Sequence, residues 1–484
     1  MASQALGMAF VTRCALSHGS CLAVVLAAAA ALASLFGRLC AEESGGRGDW
    51  HVASVSSLRP STVCATAEGP SNTSALKVVH RHGPCSPPKS RGAAQSPVEI
   101  LVRDRDRAKS IHRRITGAST VDANGGSKGV HMPAHWATAS LGTNNYVVTV
   151  GLGTPARYFT LEFDTGSDLS WVQCTPCKDC YEQHDPLFDP AKSPTYSAVP
   201  GGARECRELG YLRRRSSSGN RCRYEVAYAD GSVTDGDLAR DTLTLAAPSD
   251  TIPGFVFGCG RDNTGQFGTE DGLIGLGRRG VSLSSQAAGR YGPGFSYCLP
   301  SLSSGTGYLA LGGAAPENAQ FTAMVPSRDL PSLYFVRLVG VKVAGRAVKV
   351  PAASMLVDSG TQLTILPDGT FAALWSAFAR LMMGRYRRAP GLSFLDTCYN
   401  FTGHDTLRVP SVALVFAGGA TVNLDVSGVL VKLGSDEPGV ACLGFTSTGD
   451  DKPVGILGNT QQKTFAVVYD VVNRRIGFGA KGCA

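Results

Sequence analysis

Asp164-Thr165-Gly166-Ser167 and Asp358-Ser359-Gly360-Thr361 are two versions of one tetrapeptide, 194 residues apart in a chain of 484. Asp, Gly, Ser and Thr are common turn residues. The first tetrapeptide follows residues 159–163, in which apolar and polar residues alternate, and the second follows Met355-Leu356-Val357. Alternation and short apolar runs predict β-strands. Each half of the chain is therefore expected to contain a strand, a turn with a carboxylate, and another strand.

The two aspartates suggest one reaction. If the turns face each other, the carboxyl groups of Asp164 and Asp358 lie about 3 Å apart and cannot both ionise easily. They would share one proton and hold a water molecule between them. The ionised carboxylate would take a proton from this water, while the protonated one polarises the carbonyl of a peptide bond. The alternative interpretation is two unrelated surface turns.

The other residues of the tetrapeptides support this chemistry. A glycine at Gly166 and at Gly360 permits a tight backbone turn. Hydroxyl groups can hold a carboxylate in place by donating hydrogen bonds to it. The hydroxyls expected to do so are those of Thr165, Ser167, Ser359 and Thr361. No cofactor or metal is implied, because the chain supplies both reacting carboxyl groups.

Further motifs occur in order along the chain. Residues 76–85 read LKVVHRHGPC and residues 146–155 read YVVTVGLGTP. Others lie at residues 257–260 (FGCG), 271–277 (DGLIGLG), 395–399 (LDTCY) and 455–459 (GILGN). With these motifs the chain resembles the pepsin-like aspartic proteases, most closely the plant nepenthesin-like branch, near the chloroplast-nucleoid DNA-binding proteases. The resemblance runs from about residue 76 to the C-terminus.

The fold class follows from both the pattern and the resemblance. From residue 145 onward, short alternating segments bounded by Gly, Pro and Asn predict an all-β structure. The resemblance implies a bilobal fold, with lobes at residues 142–326 and 327–484 and the active-site cleft between them. It also implies an apolar-apolar-Gly segment beneath each aspartate turn. These segments are Leu273-Ile274-Gly275 and Ile456-Leu457-Gly458.

A hairpin is predicted at residues 224–232, which read YEVAYADGS. In the family, the tip of this hairpin is a flap that folds over the substrate, and Tyr228 matches the flap tyrosine. Its ring would close an apolar pocket. Trp171 matches the tryptophan behind the flap. Without the resemblance, both side chains would be interpreted as ordinary packing residues.

The N-terminal region is expected to be removed from the mature protein. Residues 1–41 have the pattern of a secretory signal peptide, and their apolar core of about 16 residues is short for a membrane span. A signal anchor and an organelle transit peptide remain alternatives. Residues 42–135 are interpreted as a prosegment with one helix over residues 97–114, followed by a linker at 117–129. The alternative is a merely disordered extension.

The basic residues are concentrated in this leader. Of the net charge of +8, most lies in residues 1–140, which contain 15 Lys and Arg against 8 Asp and Glu. The nearly neutral remainder argues against nucleic-acid binding by the mature form. Residues 103–107 alternate Arg and Asp, which is typical of a solvated helix face. A basic prosegment over an acidic cleft would be held by ion pairs and released as carboxylates protonate, so it is expected to act as an intramolecular inhibitor.

Ten of the 15 cysteines lie in the catalytic part. The spacing of Cys174, Cys177 and Cys180 is compatible with zinc or an iron–sulfur cluster, but a secretory route favours disulfides. The resemblance implies the pairs Cys174–Cys177, Cys180–Cys259, Cys298–Cys483 and Cys398–Cys442. Cys206 and Cys222 are then left to pair with each other. N-glycosylation sequons begin at Asn72 and Asn400.

The sequence thus predicts a secreted, monomeric aspartic endopeptidase, made as a zymogen and acting on polypeptides in acid. The apoplast or the vacuole is the expected compartment, and the chloroplast is the alternative. One rival function is a catalytically silent binder, like the plant xylanase-inhibitor relatives, although both aspartates survive here. Another is a plastid nucleoid protease that binds DNA through its basic leader.

Overall fold

The computed structural model describes most of the chain from residue 146 onward and parts of the leader. The described residues are 49–58, 63–65, 74–80, 83–86, 102, 105–107, 109, 111, 146–214, 220–228, 231–265, 267–301, 305–312, 315–391, 393, 395–432, 439–449 and 454–483. The chain divides into two units, Met1–Asp49 and Trp50–Ala484. Apart from Asp49, the first unit lies outside the described residues, as do Asn72 and the linker at 117–129.

The first half of the described chain consists mainly of strands. They are β1 (Trp50–Ser54), β2 (Ser74–His80), β3 (Tyr146–Leu152), β4 (Arg157–Asp164), β5 (Trp171–Gln173), β6 (Ser197–Ala198), β7 (Arg213–Arg214), β8 (Arg223–Ala227), β9 (Val233–Thr244), β10 (Thr251–Thr264), β11 (Gly272–Gly275), β12 (Gly294–Cys298), β13 (Gly307–Leu311) and β14 (Gln320–Ala323).

The second half of the described chain also consists mainly of strands. Its strands are β15 (Phe335–Val343), β16 (Arg346–Val348), β17 (Ala353–Val357), β18 (Thr364–Leu366), β19 (Arg387–Ala389), β20 (Cys398–Asn400), β21 (Thr406–Pro410), β22 (Val412–Phe416), β23 (Thr421–Asn423), β24 (Leu430–Val431), β25 (Val440–Leu443), β26 (Phe445–Ser447), β27 (Val454–Leu457), β28 (Ala466–Asp470) and β29 (Arg475–Gly479).

Helices are few and short in the described part of the chain. They are α1 (Arg204–Glu208), α2 (Leu283–Tyr291), α3 (Asp368–Met382), α4 (Val426–Val429) and α5 (Asn459–Gln462), with 3-10 turns at Val55–Leu58, Pro190–Lys192 and Gly210–Leu212. In the predicted prosegment helix, residues 102, 105–107, 109 and 111 are helical, and its other positions lie outside the described residues. None of the described helices is both long and apolar enough to cross a membrane. The all-β, two-lobed prediction is confirmed.

The first aspartate turn is positioned by three neighbouring strands of a 15-stranded sheet. Strand β4 ends at Asp164 and runs parallel to β11, with Gly275 opposite Asp164. Strand β5, which follows the turn, pairs antiparallel with β11. The strands before and after the turn therefore lie on either side of β11.

The second aspartate turn is positioned in the same way in an eight-stranded sheet. Strand β17 runs parallel to β27, and β18 pairs antiparallel with it. The predicted apolar-apolar-Gly segments are thus β11 and the end of β27. A Cβ atom at Gly275 or at Gly458 would lie 2.5 Å from the backbone of Asp168 or Leu363, respectively. Only glycine fits at these close approaches.

The two predicted halves are not separate sheets. The C-terminal strands β28 and β29 pair with β12 and β14, so the end of the chain returns to the sheet of the first half. The disulfide Cys298–Cys483 joins the same region. The lobe boundary expected near residue 326 is therefore crossed by the last two strands.

The leader contributes strands to the fold at two places. Strand β2 lies between β3 and β13 in the large sheet, where Leu76 and Val78 are buried in its core. Strand β1 pairs with β21 in the C-terminal half. A disulfide between Cys64 and Cys85 connects the segments on either side of β2.

Two of the expected disulfides are exchanged. The structure joins Cys174 to Cys259 and Cys177 to Cys180, instead of Cys174 to Cys177 and Cys180 to Cys259. The reason is the parallel pairing of β5 with β10, which places Cys259 opposite Val172 and therefore close to Cys174. The remaining pairs are Cys206–Cys222, Cys298–Cys483 and Cys398–Cys442, the same as those expected.

A lysine is buried near the end of the second lobe. Lys463 is only 7% exposed. The acidic group that interacts electrostatically with it is Asp425. Burial lowers the pKa of Lys463 to about 8, although Asp425 opposes the shift. Because an unfolded lysine has a pKa of about 10.4, charging this side chain at neutral pH costs folding free energy.

Replacing Lys463 by Met should increase the free energy of unfolding at pH 7 by about 2 kcal/mol. The gain should shrink as the pH rises from 8 towards 10, because the folded lysine is then neutral. Urea unfolding at several pH values measures this, with the exposed Lys349→Met as control. An equal gain at pH 7 and pH 10 would contradict the burial argument.

Candidate active site

The two predicted aspartates meet in the structure. Asp164 ends β4 and Asp358 directly follows β17, and both are fully buried. In each turn the glycine two residues later donates its backbone N–H to its own aspartate. Gly166 N lies 2.8 Å from Asp164 Oδ1, and Gly360 N lies 2.9 Å from Asp358 Oδ1. The two turns therefore have the same local geometry.

The inner hydroxyls connect the two turns to each other. Thr165 N donates to Ser359 Oγ, and Ser359 N donates to Thr165 Oγ1, both at 3.0 Å. Each hydroxyl also donates a hydrogen bond to a backbone carbonyl just before the opposite turn. Thr165 donates to Val357 O at 3.0 Å, and Ser359 donates to Phe163 O at 3.1 Å. Thr165 and Ser359 thus hold the two turns together, whereas the sequence suggested that they orient the carboxylates directly.

The turn glycines allow the aspartates to approach. A Cβ atom on Gly166 would lie 2.7 Å from Asp358 Oδ1, and one on Gly360 would lie 2.5 Å from Asp164 Oδ1. Both positions require glycine, because the backbone of each turn lies against the carboxylate of the other turn and leaves no room for a side chain. Gly166 and Gly360 therefore determine how closely the two acids can come together.

The outer hydroxyls differ between the two turns. Thr361 Oγ1 donates to Asp358 Oδ2 at 2.6 Å, as expected for an orienting hydroxyl. Ser167 Oγ, at the matching position of the first turn, is buried without a hydrogen-bond partner in the described structure. Asp164 Oδ2 is likewise without one. The otherwise symmetric site is therefore asymmetric at this contact.

An arginine from the leader occupies the site. Arg107 Nη2 donates to Asp164 Oδ1 at 2.7 Å and to Asp358 Oδ1 at 3.0 Å, and its Nε donates to Asp358 Oδ2 at 3.0 Å. The arginine side chain is 14% exposed. One guanidinium thus neutralises charge on both aspartates at the point where the turns meet.

The environment moves the pKa values of the two aspartates in opposite directions. Burial raises both, and the charge of Arg107 lowers both. For Asp164 the arginine prevails, so its pKa lies below the ordinary value. For Asp358 the neighbouring charge of Asp164 adds to burial, and its pKa lies above the ordinary value. Asp164 is therefore the member of the pair that ionises first.

An aromatic cluster lies under the predicted flap. Trp171 Nε1 donates to Tyr228 Oη at 2.6 Å. Phe267 contacts both rings edge-on, with centroid distances of 5.4 Å to Trp171 and 6.3 Å to Tyr228. Tyr181, from the cysteine-rich segment, stacks on Phe267 at 4.6 Å. Burial raises the pKa of Tyr228, so its hydroxyl stays protonated.

One group of side chains among the described residues has the spacing of metal ligands. The ligand atoms of His184, Asp185 and Asp271 lie within 4.8 Å of one another. Both oxygens of Asp271 already accept backbone N–H groups, from Thr160 at 2.6 Å and from Asp185 at 2.9 Å. The carboxylate therefore connects backbone segments, and the cluster carries no metal assignment.

Sequence reasoning missed three residues of this region. Arg107 was interpreted as part of a solvated helix face, and Phe267 and Tyr181 were not singled out. The available signal for Arg107 was the expectation that a basic leader covers an acidic cleft. That expectation does not distinguish it from the other basic residues of the same helix.

Comparisons with known proteins agree with this geometry. Residues 146–313 match the family model described as xylanase inhibitor N-terminal, and residues 333–480 match the one described as xylanase inhibitor C-terminal. Two solved structures share the fold. They are basic 7S globulin from soybean (TM-score 0.57, 21% identity, 69% of this chain and 91% of that chain) and conglutin gamma from lupine seeds (TM-score 0.55, 20% identity, 69% and 91%).

Curated relatives are more similar in sequence. The aspartyl protease AED1 of Arabidopsis thaliana is 39% identical over 91% of this chain and 94% of its own length. The aspartic proteinase nepenthesin-2 of Nepenthes gracilis is 35% identical over 79% of this chain and 85% of its own length. The family resemblance is therefore confirmed, and this chain belongs to the plant family of pepsin-like aspartic proteases.

Proposed function

We propose that the protein is an acid endopeptidase in which Asp164 and Asp358 activate a water molecule against a peptide bond. The observation that carries this proposal is the pair of buried carboxylates on two facing turns, cross-linked through Thr165 and Ser359. Polypeptides are the substrate class that the family implies. The aromatic cluster of Trp171, Tyr228 and Phe267 supports a preference for apolar side chains beside the cut.

The two carboxyl groups take different roles. Once Arg107 has left, the two carboxyl groups share one proton, and the ionised one removes a proton from the water. The protonated one donates a hydrogen bond to the carbonyl oxygen of the peptide bond. The cross-links through Thr165 and Ser359 keep both groups in position without reorganisation.

The leader makes the chain a zymogen in this proposal. Arg107 occupies the position where the water and the scissile carbonyl would bind. Because Arg107 lowers the pKa of Asp164, its contact stabilises the closed precursor above the ordinary pKa of an aspartate. The stabilisation is lost as the pH falls through the lowered value. Acid would therefore release Arg107 and start processing.

Passage through the secretory pathway is also proposed. The six disulfides found among the described residues support it, because such bonds persist in oxidising compartments. Glycosylation at Asn400 and a monomeric mature form belong to the same proposal. A fluorescent protein fused to the C-terminus distinguishes the apoplast or vacuole from the plastid, and plastid fluorescence would overturn the secretory assignment.

A second candidate is a catalytically silent binding protein. The observation in its favour is the description of the matching family models, which names xylanase inhibitors. Inhibition of a xylanase by the processed chain, without hydrolysis of any polypeptide, would support it over the peptidase.

The first prediction concerns the two aspartates. Processed protein should cleave a denatured protein between pH 3 and 6, and pepstatin should block this cleavage. Asp164→Asn and Asp358→Asn should each lower kcat/KM at least about 1000-fold, because each removes an acid–base group. The exposed Asp329→Asn is the matched control. Activity that persists in both active-site variants would contradict the proposal.

The second prediction concerns Arg107. The Arg107→Met precursor should cleave a peptide substrate at pH 6, where the wild-type precursor is silent, because the carboxylates are no longer occupied. Lys109→Met, on the same helix, should behave like wild type. Initial rates before leader removal measure the difference. If Arg107→Met stays silent while its processed form is active, Arg107 is not the inhibitory contact.

The third prediction concerns the asymmetric hydroxyls. Thr361→Val removes a hydrogen bond that favours the ionised form of Asp358, so the alkaline limb of the kcat/KM profile should shift to higher pH. Ser167→Ala should leave the limb in place, because its hydroxyl makes no hydrogen bond in the described structure. Equal shifts in both variants would contradict the assignment.

A further inference from the structure

The C-terminal lobe has a strand whose pairing depends on the leader. Within the described residues, β21 pairs with β1 alone, in a two-stranded sheet. The pairing is antiparallel over five residues, from Trp50 opposite Pro410 to Ser54 opposite Thr406. Val55 N extends it by donating to Asp405 O at 3.0 Å. If the leader is removed, β21 becomes an unpaired strand edge, which readily adds another strand.

Two arginines stand beside this edge and hold an aromatic ring. The Trp50 ring lies 4.4 Å from the guanidinium carbon of Arg385 and 5.7 Å from that of Arg408. Neither arginine forms an ion pair with a described residue, and both are exposed. Arg408 N donates to Tyr386 Oη at 2.7 Å, which anchors this part of the strand. The arginines are thus placed to receive an aromatic side chain from whichever strand pairs with β21.

The segment of sequence that leads into β21 is more basic than the catalytic part as a whole. Residues 380–408 contain five arginines and two aspartates, whereas residues 141–484 are nearly neutral. Arg387 and Arg388 lie on β19 and are exposed. A strand carrying an aromatic residue and an acidic neighbour, such as Asp49-Trp50, is complementary to this surface.

We propose that β21, with Arg385 and Arg408, is a docking site for an extended polypeptide segment that carries an aromatic side chain. Leader strand β1 fills this site in the precursor, and a segment of a polypeptide substrate fills it in the processed enzyme. The proposal rests on the proposed function, because the leader must be removed to open the site. It includes none of the residues of the aspartate turns, so docking and cleavage are separable.

The face of β1 that packs against the lobe contains His51, so the docking of β1 depends on pH. His51 lies opposite the buried Val409, and its Nε2 is buried without a hydrogen-bond partner in the described structure. Asp425 is the charged group that acts on the ring, and the Leu424 backbone hydrogen-bonds to it. Burial lowers the pKa of His51 even though both of these raise it. Docking of β1 is therefore strongest above the ordinary histidine pKa of about 6.5 and weakens as the pH falls below it.

The test uses a labelled peptide of residues 49–58, DWHVASVSSL. The precursor is cut between β1 and β2 by limited digestion with an added protease, and the segment that contains β1 is removed by gel filtration in acid, while β2 stays in the large sheet. Mass spectrometry confirms that residues 49–58 are absent. Fluorescence anisotropy at pH 7.5 should show saturable binding that saturating pepstatin does not displace. Arg385→Gln and Arg408→Gln should each weaken it about tenfold, as should Trp50→Ala in the peptide. The exposed Arg346→Gln should leave it unchanged.

A second measurement tests the role of His51 in the peptide. With saturating pepstatin present to prevent hydrolysis, binding of the wild-type peptide should be weaker at pH 5 than at pH 7.5. A His51→Gln peptide, which cannot gain a charge, should bind equally at both pH values. An equal loss for both peptides would overturn the role of His51.

Other outcomes would overturn the docking site itself. Displacement of the peptide by pepstatin would place it in the catalytic cleft. Equal binding of a scrambled peptide, with displacement by polygalacturonate, would make the surface a general polyanion site. Turnover of a denatured protein is measured on the same preparation. Turnover without peptide binding contradicts the docking site alone, whereas peptide binding without turnover contradicts the peptidase proposal alone.

Discussion

Two buried carboxyl groups held against each other are the constraint on which the rest of this structure depends. Two negative charges in a buried site repel strongly, so both cannot remain ionised without a compensating positive group. In the structure, the guanidinium of Arg107 is that group. Without it, the pair must share a proton. The repulsion between the two charges makes the site unfavourable to form. It would also keep one carboxyl group protonated as the acid while the other is ionised as the base.

The backbone meets this constraint through a repeated arrangement. In both lobes a strand ends at the aspartate, a parallel strand supports it, and the strand after the turn pairs with the same support. Glycines at Gly275 and Gly458 allow the close approaches beneath the turns. The hydrogen bonds between Thr165 and Ser359 then fix one turn to the other, so the position of each carboxylate depends on both lobes.

The sequence allowed much of this to be predicted, because the decisive features are local. A carboxylate turn between two apolar segments is visible within residues 159–172, and its repetition within residues 355–367. The exchanged disulfides were not predictable in this way, because Cys174 meets Cys259 only through the pairing of β5 with β10. Ser167 and Thr361 are chemically similar, yet only Thr361 reaches its carboxylate, since that contact depends on side-chain orientation. Arg107 is one of several basic residues on its helix, and only the docked helix shows which one enters the site.

Among the described residues, the leader contacts the rest of the chain at three places besides the apolar packing of Ile111. Strand β2 completes the large sheet, β1 pairs with β21, and Arg107 binds the carboxylates. The first is dominated by apolar burial, whereas the other two involve groups that titrate in acid. Under the proposed function, acid would weaken the polar contacts and leave the apolar pairing of β2, so the cleft would open before β2 is lost from the sheet.

We infer that Arg107 occupies the paired carboxylates of a functional aspartic site in the precursor. Pepstatin, an inhibitor of aspartic proteases, can be titrated calorimetrically into intact wild-type precursor and Arg107→Met precursor at pH 6. We expect binding to the variant and none to the wild type. Equally tight binding to both precursors, or to neither while the processed chain binds, would contradict the claim.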